Sequence, residues 1–315
     1  MRHFDTAATR AGLPYDALVP ALRRMFAGGC EVPLRHTHAL ADADGHTVGT
    51  LLLMPAWRPG GRLGIKTVNV FPGNALQGLP ALHAVYTLFD GSTGVPLAQM
   101  DGSEITTRRT VAASALAASY LAREDARELL LVGAGRLAHQ VPAALRSVRP
   151  GLRRVRVWNH RPEGAALLVR ALATEPALEG LQITVATGLE AAVRQADMVS
   201  CVTLSTAALV QGRWLRPGSH LDLVGGFTPA MRECDGEALR RARVWVDTSE
   251  AMAKAGDILQ AVAEGLFDPA ALQGTLADLC RGAAGRAGPD EITLFKSVGT
   301  ALEDLAAAEL VFDRG

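Results

Sequence analysis

Two patterns of apolar and polar residues divide this chain. Beyond about residue 128, short apolar runs alternate with stretches of helical period. Strands are expected at 128–132, 153–158, 182–186, 197–203, 219–224 and 243–247, and helices at 136–148, 162–174, 188–195 and 235–241. Apolar strands separated by amphipathic helices predict a doubly wound α/β domain around a parallel sheet. The earlier part reads differently. Residues 15–27 place Leu18, Leu22 and Met25 on one helical face, and strands are expected at 48–54, 63–71, 83–89 and 95–100. Asp44-Gly45, Pro59-Gly60-Gly61, Pro72-Gly73-Asn74 and Asp90-Gly91 separate them as turns. Strands joined without crossover helices predict an antiparallel or mixed sheet. An alanine-rich helical pattern covers 108–121, 281–288 reads as a loop, and the apolar helix at 301–310 must bury its face, expected against the first domain.

The strand at 128–132 runs into Gly133-Ala134-Gly135-Arg136-Leu137-Ala138 and then a helical pattern. Gly133 permits a tight turn, Gly135 lets the backbone approach a phosphate, and Ala138 lets the helix pack close to the strand. The N–H groups opening the helix then face the negative charge of a dinucleotide pyrophosphate. The strand Arg154-Val155-Arg156-Val157-Trp158-Asn159 follows at βαβ spacing. Its end, Asn159-His160-Arg161, lacks the acidic residue that bonds a ribose 2′-hydroxyl, and its arginine suits a 2′-phosphate. NADP(H) is therefore expected in preference to NAD(H), which would be held through Asn159. Thr203 and Ser205, at a later strand end, are expected to line the cofactor, together with Thr110.

Composition narrows the class. The 315 residues are 49% hydrophobic and 20% charged, with formal net charge +0, so no electrostatic footprint for nucleic acid or an anionic membrane is expected. Cys30, Cys201, Cys234 and Cys280 show no metal-type spacing, no Ser/His/Asp set or phosphate loop is present, and no metal is expected. The chain start lacks a signal-peptide pattern, and free thiols fit a reducing compartment, so a cytoplasmic protein is expected.

Further motifs extend along the chain: Met54-Pro55-Ala56, Gly64-Ile65-Lys66, Thr93-Gly94-Val95-Pro96-Leu97-Ala98, Asp101-Gly102, Ile105-Thr106-Thr107-Arg108-Arg109-Thr110, Val224-Gly225-Gly226, Arg232-Glu233, Gly256-Asp257 and Thr293-Leu294-Phe295-Lys296-Ser297-Val298-Gly299. In this order and spacing the chain resembles the ornithine cyclodeaminase/mu-crystallin family over nearly its whole length. That resemblance implies a Rossmann domain at 123–299 and a mixed α+β substrate and dimerisation domain from 1–122 plus 300–315. It implies an NAD(P)-dependent oxidoreductase acting on C–N bonds of small imino or amino acids, and a homodimer. It also places Arg35, Lys66 and Arg109 around the substrate carboxylate and His83 near a substrate-lining strand.

The residues bear on those roles. Arginine offers a carboxylate a bidentate fork. Lys66 lies among Leu63, Ile65 and Val68, where a lysine has a lowered pKa and can exchange a proton with an imine or amine. Arg108 should point away from Arg109, because successive helical positions do not share a face. Family cyclodeaminases carry an aspartate after the Gly-Gly pair to handle the distal amine; here Phe227 stands there and would wall an already closed ring. The resemblance therefore implies the branch that reduces pyrroline- or piperideine-2-carboxylate. Ornithine cyclodeamination or amino-acid dehydrogenation is the alternative, with Asp222 or Asp257 replacing the aspartate, and a non-catalytic NADPH-binding protein is a third.

Overall fold

Alternation of side chains along each strand builds the first sheet. The computed structural model describes the backbone of all 315 residues and every side chain except that of Ala75. Strands β1 (Arg2–Phe4), β2 (His36–Ala41), β3 (Thr47–Trp57), β4 (Arg62–Val70), β5 (Leu82–Asp90) and β6 (Pro96–Asp101) pair in the order β1-β6-β5-β4-β3-β2. The pairs from β2 to β6 are antiparallel, and β1 joins β6 in parallel, which makes the sheet mixed. Met54, Ala56, Lys66, Val68, Tyr86, Leu88, Ala98 and Met100 are buried on one face. The C-terminal helix Ala301–Arg314 packs on β3, β4 and β5 and on the helix Tyr15–Gly28. The expected docking of the last helix is thus observed. β1 and β2 carry polar, mostly exposed residues and gave no alternating signal.

The second sheet holds eight parallel strands. They are β7 (Glu128–Val132), β8 (Arg154–Trp158), β9 (Gln182–Val185), β10 (Met198–Cys201), β11 (His220–Leu223), β12 (Arg243–Val246), β13 (Gly274–Thr275) and β14 (Thr293–Lys296). Their order, β13-β12-β14-β11-β10-β7-β8-β9, reverses direction between β7 and β10. In such sheets, ligands bind beyond the C-terminal strand ends at the switch point. Every residue of β10, β11 and β14 is buried. β14 was not foreseen, because its four residues include Thr293 and Lys296, which do not read as a core strand.

The helix expected at 136–148 is interrupted. A 3₁₀ turn, Leu137–His139, precedes the α-helix Val141–Val148. Pro142 has no N–H to donate to the carbonyl four residues earlier, so the ladder cannot run through it. The chain forms two compact units, Met1–Arg109 with Thr300–Gly315, and Thr110–Gly299. The division falls inside the helix Gly102–Leu121, where the sequence reading placed it after residue 122.

Candidate active site

In the first unit the sheet and two helices bring cations and acids together in the interior. Lys66 lies on β4 opposite Met54 and Tyr86 of the neighbouring strands, and all three are buried. Its Nζ is 2.6 Å from Asp304 Oδ2 and donates to Thr106 Oγ1 at 3.2 Å. Arg109 donates from Nε to Asp304 Oδ1 at 2.9 Å and from Nη1 to Glu303 Oε2 at 2.5 Å. Glu303 and Asp304 open the C-terminal helix, where acidic residues also suit the positive end of the dipole. Arg35, half-buried just before β2, places its charge near enough to act on Lys66.

Burial pushes the Lys66 ammonium down to about 8, with Asp304 opposing and Arg109 and Arg35 assisting the shift. Burial alone would raise the Asp304 carboxyl, but Lys66 and Arg109 hold it below its usual range. Burial works against the Arg109 charge too, and Asp304 and Glu303 more than offset it. Asp304 is therefore the shared counter-ion of two buried cations. Arg108 points elsewhere, as its position predicted: Nε donates to Leu13 O at 2.8 Å and its guanidinium stacks 4.4 Å from the Tyr15 ring centroid.

His83 does not join this group. It pairs in register with Asn69 on β4, so alternation puts it on the face opposite Lys66. It is exposed there, in a groove shared with Thr67, Asn69 and Gln99. The strand register thus sets His83 apart from the cations.

In the second unit, β7 ends in the glycine turn. Gly133 has φ +113° and donates its N–H to Trp158 O at 2.9 Å. A Cβ there would lie 2.9 Å from Val202 O and 3.2 Å from Thr203 Cγ2, so the turn packs on the end of β10. Ala134 is half-buried, Gly135 and Arg136 are exposed, Leu137 is half-buried and Ala138 is buried. Nothing lies within 4 Å of where a Gly135 Cβ would stand. This bare backbone beside the switch point fits a pyrophosphate group. Asn159 Nδ2 donates to Arg161 O at 2.9 Å and braces the turn after β8. His160 and Arg161 are exposed. Thr110, half-buried, follows Arg109 on its helix.

The remaining strand-end hydroxyls are used locally. Ser205 Oγ donates to Ala207 O at 2.7 Å, and Thr203 Oγ1 donates to Glu233 Oε1 at 2.9 Å. Ser205 thus braces its own turn at the strand end. Phe227 stands 45% exposed after the Gly-Gly pair. Neither acid weighed as its replacement is available. Asp222 accepts from Ser114 Oγ at 2.9 Å and Ser200 Oγ at 2.6 Å. Asp257 accepts from the Glu233 and Cys234 amides at 2.7 and 3.1 Å, and its other oxygen is 3.1 Å from Lys296 Nζ. Both carboxylates are buried and engaged.

Sequence reasoning did not single out Glu303, Asp304 or the carboxylate of Glu233 as site residues. Two adjacent acids at the start of an apolar helix were the available signal for the first pair, and they also read as ordinary first-turn acids.

The ornithine cyclodeaminase/mu-crystallin family description matches residues 9–315. A Δ1-pyrroline-2-carboxylate reductase of Paracoccus denitrificans is 39% identical over 288 residues, covering 88% of this chain and 89% of that protein. Among solved structures, the Δ1-pyrroline-2-carboxylate reductase of Thermococcus litoralis, in complex with NADH and L-proline, superposes with a TM-score of 0.89. It is 31% identical, with 99% of this chain and 97% of that one covered. An archaeal alanine dehydrogenase with bound NAD superposes with a TM-score of 0.88 at 30% identity, covering 99% and 95%. Likeness of fold alone does not choose between these chemistries.

Proposed function

Since the chain belongs to the ornithine cyclodeaminase/mu-crystallin family, we propose that it reduces the C=N bond of cyclic ketimine acids, Δ1-pyrroline-2-carboxylate and Δ1-piperideine-2-carboxylate, to proline and pipecolate. The observation that carries this reading is the buried Lys66, with its lowered pKa, bound to the counter-ion it shares with Arg109. Arg35, Lys66 and Arg109 against Glu303 and Asp304 leave one positive charge in excess, the complement of one substrate carboxylate. The cations hold that carboxylate and so orient the ring, and orientation supplies a large share of the rate enhancement of such a reaction. Lys66, protonated near neutral pH, delivers a proton to the imine nitrogen and raises the electrophilicity of its carbon. A reduced nicotinamide, when bound, would supply hydride chemistry. The Lys66 amine regains its proton from solvent, and with Phe227 after the Gly-Gly pair that position offers no carboxylate to a second amine.

The dinucleotide is held in this reading by the Gly133, Ala134, Gly135, Arg136 and Leu137 backbone, with Asn159, His160 and Arg161 at the ribose. The exposed Arg161 and the absent acid favour NADP(H) over NAD(H). The deciding experiment follows absorbance at 340 nm with both imines and both cofactors. Turnover faster with NADPH is expected. Ammonia release from ornithine without imine reduction would overturn the reading.

Gly135→Val tests the cradle. A Cβ added there has no neighbour within 4 Å, so the melting temperature should hold while NADPH affinity falls by about tenfold or more. A loss of stability without loss of affinity would remove Gly135 from the cofactor site.

The protein is expected to be a homodimer. Leu51, Leu53, Leu63 and Ile65 are half-buried and Val85 is exposed on the sheet face opposite Lys66, an apolar surface that a second copy would cover. Sedimentation should give twice the mass of one chain; a monomer at micromolar concentration would exclude this. No helix among the described residues is long and apolar enough to cross a membrane. Cys30, Cys201, Cys234 and Cys280 form no disulfide among the described residues, which supports a cytoplasmic location.

A further inference from the structure

One buried carboxylate in the second unit holds two separate strand-end turns. Glu233 Oε1 accepts from the Thr203 N–H at 2.7 Å and from Thr203 Oγ1 at 2.9 Å, just beyond β10. Its Oε2 accepts from the Gly225 and Gly226 N–H groups at 2.7 and 3.3 Å, just beyond β11. The turns are pressed together: a Cβ on Gly225 would fall 1.7 Å from Thr203 O. Thr203 also packs on the Gly133 turn, where its Cγ2 would lie 3.2 Å from an added Cβ. Glu233 is itself fixed from behind by Asp257, which accepts from its amide and is paired with Lys296.

We propose that Glu233 is a positioning residue, a four-acceptor clamp that joins the β10 and β11 ends and so fixes Phe227 and the Gly133 turn for substrate and dinucleotide. It touches neither. The proposal rests on the reading of these strand ends as the cofactor edge of the sheet. An ionised carboxylate accepts all four bonds, whereas a protonated one turns one acceptor into a donor and releases part of the clamp. Burial raises the Glu233 carboxyl to about 7; Lys296 opposes this, Asp257 adds to it, and the Thr203 bonds oppose it. The charged and titratable groups around it are Lys296 on β14, Asp257 on the helix Gly256–Ala263 and the buried thiols Cys201 and Cys234. Burial keeps both thiols well above their ordinary values, so neither ionises in the range where Glu233 does. The clamp therefore closes as pH rises through neutrality.

The test is an amide NMR titration of the ligand-free protein, paired with NADPH binding by fluorescence over the same pH range. Thr203, Gly225 and Gly226 should share one midpoint near 7, and NADPH affinity should fall below it. Glu233→Gln should abolish the shared midpoint. Thr203→Val removes one donor to the charged form and should move it up by about one pH unit. Independent midpoints for the three amides, or a shared midpoint that persists in Glu233→Gln and is unmoved in Thr203→Val, would overturn the proposal. A shared midpoint in a protein that reduces neither imine would support the clamp and remove the reductase reading.

Discussion

Lys66→Met should lower kcat/KM for imine reduction by about 10²- to 10⁴-fold, the range that general acid catalysis contributes. The methionine keeps most of the volume of the buried lysine and removes its proton. Asp304 retains the Arg109 guanidinium at 2.9 Å, so the fold should survive. The sign of the pH dependence follows from the proton. Reduction needs the ammonium form, and with Lys66 near 8, kcat/KM of the native enzyme should fall as pH rises through that value. In Lys66→Met this basic limb should vanish. Oxidation of proline needs the free amine and should rise over the same interval. Native-like kcat/KM in the variant, or a basic limb that persists, would take Lys66 out of the chemistry.

Arg109→Met should have the largest effect on stability, a loss of about 3–5 kcal/mol, the usual cost of removing one partner from a buried ion pair. It removes the guanidinium that Glu303 Oε2 receives from Arg109 Nη1, and it takes from Asp304 one of its two cations. The melting temperature should drop by roughly 10 °C. Adding Glu303→Gln removes a buried negative charge whose guanidinium partner is gone and should recover part of that loss. Calorimetry of the single and double variants is the measurement. Equal melting temperatures for Arg109→Met and the native chain would mean that the Glu303–Asp304 pair is not held by Arg109. Failure of Glu303→Gln to restore stability would place the cost in lost packing of the arginine stem.

Where pattern is local, the chain was legible. The strands at 48–54, 63–71 and 83–89 appear as β3, β4 and β5 with ends shifted by a few residues, since Pro59-Gly60-Gly61 and its neighbours punctuate them. The parallel strands around the Gly133 turn were equally plain, because runs such as Leu129–Val132 are buried on both faces. The breaks came where tertiary context overrides pattern. β2 is an exposed edge strand without alternation, β14 hides its lysine in the interior, and Pro142 split a helix whose apolar period ran past it. His83 lies on the face away from Lys66 because register, not proximity in sequence, decides which side of a sheet a residue serves.

By itself, the amino-acid sequence determined the two fold types, the glycine turn that can approach a phosphate, and the absence of an acid after the Gly-Gly pair. These are properties of neighbouring residues and their periods. Only the tertiary structure decided what each charge meets. Lys66 and Arg109 find Asp304 on the far side of the sequence, Asp222 is taken by two serines, and Asp257 is taken by Lys296 and two amides. Ion pairs and buried hydrogen bonds form between groups that folding brings within a few ångströms, and no spacing along the chain encodes that distance.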